Sequence, residues 1–122
     1  MSSRQDAPET DFKLTISEKR VQTMLDWLVA KDGEGALAIA DLERQEEEAK
    51  RVLALAISTS AETSDKKREA DARSSEAYRK QVEKVAKARE RWQLWKNKRE
   101  TALVTIDLWR TLSANQRQNP FG

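Results

Sequence analysis

The chain is predicted to be all-α: a long antiparallel helical hairpin or coiled coil with a short N-terminal helix, built to oligomerise. Three observations carry this. First, 122 residues include only three glycines and two prolines, while Ala, Glu, Lys, Arg, Leu and Gln dominate, so helix formers abound and turn punctuation is scarce. Second, Val85, Trp92, Arg99 and Ile106 recur every seven residues, and Ala88, Trp95, Ala102 and Trp109 recur three positions later. Such a repeat marks a coiled-coil seam. Third, "STSAETSDKK", residues 58–67, has no large apolar residue and many side chains that compete for backbone hydrogen bonds, which suits a reversal of the chain.

Taken in order, residues 1–12 are polar, contain Pro8 and lack periodicity, and read as a flexible tail before a helical hairpin domain spanning 13–113. A first helix is expected over about 15–31. Thr15 with Glu18 fits a capping box, Ser17 offers an alternative cap, and Val21, Met24, Leu25 and Leu28 form one apolar stripe. "KDGEG" is expected to end it, with Gly33 or Gly35 supplying a positive φ. A second helix, about 36–58, carries Ile39, Leu42, Ala49, Val52, Leu53, Ala56 and Ile57.

The reading then forks. Either the chain turns near residues 60–64 and Thr63 or Ser64 caps a third helix over about 65–112, or one helix runs from 36 to 112, about 115 Å long at 1.5 Å per residue. The small-residue spacing Ala49, Ala56, Thr63, Ala70, Ala77 suits the second form, but the rarity of so long a helix favours the first. Residues 114–122 form a second polar tail, whose Asn119-Pro120-Phe121 resembles the tripeptide bound by endocytic EH domains, although a frayed end is the simpler reading.

Three of the four tryptophans lie in residues 88–110 among many positive charges, so the indoles are either core or base-stacking groups. Their heptad phase places Val85, Trp92, Trp95, Ala102, Ile106 and Trp109 in a packing seam, with Arg99 as its one charged member. A reversal near residue 62 sets residue 34 across from residue 90, so Val21, Met24, Leu25 and Leu28 would meet Trp92, Trp95, Leu103, Ile106, Trp109 and Leu112. The same counting sets residues 41–48 against 76–83, where Arg79 and Lys80 lie.

The net charge of +2 hides two opposed arms. Residues 32–48 carry net −6 and residues 66–99 carry net +8. The candidate contacts to nucleic acid or a partner are Arg89, Arg91, Lys96, Lys98 and Arg99, on the outer face of the last helix. No helix-turn-helix, basic zipper or RNA-recognition signature accompanies them. Histidine and cysteine are absent, which removes imidazole bases, thiol nucleophiles, disulfides and zinc fingers. The "ERQEEE" carboxylates lack calcium-loop spacing, and no phosphate loop or nucleophile elbow occurs, so neither a metal, a cofactor nor a catalytic residue is expected. The apolar runs "ALAIA" and "VLALAI" are too short to span a bilayer, and "MSSRQDAPETDF" has no apolar leader core, so no membrane association is expected.

"NKRETALVTIDLWRTLSANQR", residues 97–117, resembles the ending of small uncharacterised helical proteins of tailed bacteriophages, in which a long helix closes with a Trp-Arg pair and a Ser-Ala-Asn-like tail. "SSEAYRKQVEKV", residues 74–85, extends it. The resemblance implies a non-enzymatic accessory of phage DNA metabolism, tied to recombination or replication in the host cytoplasm. It would bind single-stranded nucleic acid or a phage or host DNA-processing protein. The residue pattern alone supports an alternative, a structural or assembly coiled coil that oligomerises through the 85–112 seam. An inhibitor of a host enzyme is the third reading.

Overall fold

The structure is a computed structural model that describes residues 15–118; the expectations for residues 1–12 and for Asn119-Pro120-Phe121 lie outside the described residues. Three helices make a hairpin: α1 (Glu18–Thr59), α2 (Asp65–Arg73) and α3 (Glu76–Gln118). The 42 residues of α1 and 43 of α3 pack against each other along rods of about 63 Å. The short α2 forms the closed end.

Ser17 begins α1, its hydroxyl accepting the Arg20 N–H at 3.1 Å, so the alternative cap is the one used. The expected break at "KDGEG" is absent, and the two expected helices, 15–31 and 36–58, are one. No glycine among the described residues adopts positive φ, and both Gly33 and Gly35 continue the α-helix. Glycine permits a left-handed stop but does not require one, and Gly35 is used here for close approach by another helix. Gly33 has no such role, since a Cβ there would meet nothing within 4 Å. Gly33→Ala is therefore expected to stabilise the hairpin by about 0.5–1 kcal/mol, read as a rise in the denaturant midpoint at constant slope.

The chain reverses where the first branch of the fork put it. Thr59 ends α1, and Ser64 caps α2 by accepting the Lys67 N–H at 3.2 Å. Buried Ser60 holds the corner: its hydroxyl donates to Asp71 Oδ2 at 2.7 Å and accepts the Glu62 N–H at 3.2 Å. Ser60→Ala leaves that carboxylate and amide short of a partner and is expected to cost about 1 kcal/mol, measured by thermal or denaturant unfolding.

The expected single helix over 65–112 is divided at Ser74 and Ser75, and it runs beyond 112 to Gln118, so part of the expected 114–122 tail is helical. The break follows from two adjacent hydroxyls. Ser74 bonds back to the carbonyls of Ala70 and Asp71, while the Ser75 hydroxyl accepts the Tyr78 N–H at 3.3 Å and so caps a new helix. The break lets the nine residues of α2 cross the end of the hairpin.

With Val21 and Val85 each assigned heptad position a, both helices follow one seam. Val21, Gly35, Ala38 and Leu42 are buried on α1, facing buried Gln81, Ala88, Ala102 and Ile106 on α3. Four of these eight are Gly or Ala, so the backbones approach closely. Gln81 supplies one polar layer, its amide donating to both the Gln45 carbonyl (3.0 Å) and the Gln45 side-chain oxygen (2.9 Å). Such a polar pair, Gln81 buried and Gln45 half-buried, favours one register over others.

Candidate interaction surface

Three of the four indoles, Trp27, Trp92 and Trp95, collect where α1 passes α3 toward the open end. Trp95 sits at a d position with its ring directly on the backbone of Gly35; a Cβ at residue 35 would overlap the six-membered ring. Its Nε1–H donates to the Lys31 carbonyl at 3.1 Å, so the polar edge of the ring is satisfied by the α1 backbone. Trp92 stacks on Trp95, centroids 5.5 Å apart and planes within 12°, and Trp27 is tilted against Trp95 at 6.5 Å and 32°. Lys96 Nζ stands 5.7 Å from the centroid of Trp92, a cation–π distance. Trp27, Trp92 and Trp95 thus pack on one another and on α1, yet all the rings are half-buried and none is enclosed.

Of the expected seam residues, Ala102 and Ile106 are buried and Val85, Trp92, Trp95 and Trp109 are half-buried. Arg99 keeps its place in the repeat but is exposed. Met24 and Leu28 are half-buried as expected, whereas Leu25 and Leu103 sit exposed at the rim. Trp27, which the stripe at 21, 24, 25 and 28 passes over, joins the cluster. It occupies a g position, and its only sequence signal is an aromatic one step outside the a/d stripe.

The charged arms meet, but through other pairs than the ones counted. Arg89 pairs with Glu46 at 3.0 Å and Arg91 with Asp41 at 3.1 Å. Lys80, expected opposite the acidic arm, instead pairs with Glu76 on its own helix at 3.1 Å. The helices themselves keep close to the counted register, since the Gln81–Gln45 and Trp95–Lys31 hydrogen bonds both centre on residue 63. Arg89 and Arg91 reach along the seam toward the closed end, past the residues level with them, to Glu46 and Asp41. The pairings obey antiparallel logic: Glu46 and Arg89 are both e, Asp41 and Arg91 both g.

Two of the five candidate contact residues, Arg89 and Arg91, are therefore already neutralised by α1. Lys96 leans over Trp92, and Lys98 and Arg99 stay exposed. Around them the surface is mixed, since Asp32 and Glu100 border the same hollow as Trp92, Lys96 and Arg99. The "ERQEEE" carboxylates are taken up singly. Glu46 goes to Arg89, Glu47 to Lys50 at 3.2 Å, and Glu48 to Arg51, whose hydrogen bonds hold the Glu48 carboxyl below its ordinary pKa. Among the described residues no three acidic side chains converge on a metal-sized site.

On the flank carrying the g positions, Met24, Trp27, Leu94 and Ala102 wall an open apolar groove of about 450 Å³. A second hollow on the same flank lies between Leu37 and Ala38 on α1 and Arg91 and Trp95 on α3. Leu37 is 72% and Leu94 55% exposed, large values for leucines beside a core. No helix among the described residues is long and apolar enough to cross a membrane. Compared with protein-family models, curated proteins and solved structures, the chain matches none.

Proposed function

We propose that the protein is a non-enzymatic assembly protein, a helical hairpin that works by associating with other chains along the flank of its seam. One observation carries this reading: large apolar side chains on that flank, Leu37 and Leu55 of α1 and Leu94 of α3, stay on the surface beside a core in which no large side chain of the described residues is fully enclosed. A two-helix layer has only one buried face, and small domains with thin cores gain stability by association. The 85–112 seam is occupied by α1, so a second chain would meet its neighbouring c and g positions. Sedimentation equilibrium of the full chain at micromolar concentration tests this. The reading requires a mass above 14.0 kDa, and a strict monomer sinks it.

A second reading, an accessory of phage DNA metabolism that contacts single-stranded nucleic acid, is favoured by one feature. Lys96, Lys98 and Arg99 are neighbours of the half-exposed Trp92–Trp95 stack, the combination of charge and π-face that single strands use. Asp32 and Glu100 at the same place weaken it. A labelled single-stranded oligonucleotide should then bind at about 50 mM salt and be released as salt rises, by counterion release. No binding at that low salt removes this reading and leaves the first intact.

A further inference from the structure

We propose that the g flank is a self-association surface: two hairpins lie side by side and parallel, each α1 against the partner's α3, closing a four-helix bundle at the tryptophan end. This rests on the assembly reading above and adds which face meets which, in what orientation.

The argument begins with charge. The g positions of α1 from residue 34 to 48 are Glu34, Asp41 and Glu48; those of α3 from 84 to 98 are Lys84, Arg91 and Lys98. One flank thus carries an acidic row on one helix beside a basic row on the other, of which Asp41–Arg91 is the observed rung. A two-fold axis along the rods sets each acidic row against the partner's basic row. A two-fold axis across the rods sets α1 on α1 and α3 on α3, acid facing acid and base facing base. Like charges in register cost binding, so the flank selects the parallel arrangement.

The apolar groups agree with that choice. An axis along the rods keeps every residue at its own height, which brings Leu37 to within about one and a half turns of the partner's Leu94, the two side chains inclined toward each other, and by symmetry Leu94 to the partner's Leu37. Both are c positions, which neighbour g on the outer side of the flank. Leu94 also walls the groove with Met24 and Trp27, so the same contact would cover that groove. Toward the closed end the c positions change to Arg44 and Arg51 on α1 and Lys80 and Lys87 on α3, which would oppose one another. The contact is therefore confined to the open half of the hairpin.

The chain has no cysteine, which makes orientation directly readable. Full-length chains with Leu37→Cys and with Leu94→Cys are mixed under oxidising conditions and scored against each alone. The parallel bundle requires a disulfide linking the 37 and 94 positions of different chains in the mixture and little in either single preparation. A dominant 37-to-37 or 94-to-94 disulfide overturns the orientation. In parallel, Leu94→Glu, on a residue exposed within the hairpin, should leave the helical circular dichroism unchanged and weaken the dimer by at least about tenfold in sedimentation. An oligomer unaffected by Leu94→Glu overturns this surface while sparing the assembly reading. A wild-type monomer overturns both.

Discussion

Trp95→Ala is expected to destabilise the hairpin by about 3–5 kcal/mol, the range for truncating a large buried aromatic. Trp95 is only half-buried, yet four separate losses coincide at its ring. The contact with the Gly35 backbone goes, leaving a hollow that a rigid helix cannot collapse into. The hydrogen bond to the Lys31 carbonyl goes as well, as do the stack with Trp92 and the tilted contact with Trp27. Equilibrium denaturation at constant slope measures the effect. A loss below about 1 kcal/mol would mean that the ring is a surface group and does not hold α1 to α3.

Gly35→Ala is expected to lose about 2 kcal/mol, although alanine is the better helix former by about 1 kcal/mol. The added methyl would sit inside the space of the Trp95 ring, which is stiff and pinned at its nitrogen, so the helices must part or the indole must leave. Overpacking of this kind costs about 1–3 kcal/mol before the lost bond and stack are added. The contrast with Gly33→Ala, two residues away and of opposite sign, isolates the cause. So does a double-mutant cycle: in the Trp95→Ala background the Gly35→Ala penalty should vanish and the intrinsic helix gain appear.

These two glycines also show where sequence reasoning stops. The heptad at Val85, Trp92, Trp95, Ala102, Ile106 and Trp109 was legible because its period is local, and it led to the hairpin and its seam. The caps at Ser17 and Ser64 were legible for the same reason, since donor and acceptor lie three residues apart. Gly35 was not, because what decides its role is Trp95, sixty residues on. A glycine beside a lysine and two acids has the composition of a helix stop whether or not a ring leans on it. The ion pairs were not legible, because Arg89 and Arg91 reach along the seam past the residues that counting sets opposite them, to Glu46 and Asp41, and this altered the candidate surface itself. Trp27 escaped notice because a g-position aromatic is indistinguishable from a solvent-facing one until the neighbouring helix is placed.

The corner bond from Ser60 to Asp71 fastens the end of α1 to α2, and the indole cluster around Gly35 fastens α1 to α3 farther along, with the Glu46–Arg89 and Asp41–Arg91 rungs between the two. A hairpin pinned only at its bend would unzip from the free tips inward. Fastened at both levels, it behaves like a clasped strip whose middle opens only when one fastening lets go. Amide exchange should then be slow from about residue 35 to residue 95, and fast in the outer turns of α1 and α3 beyond the rings.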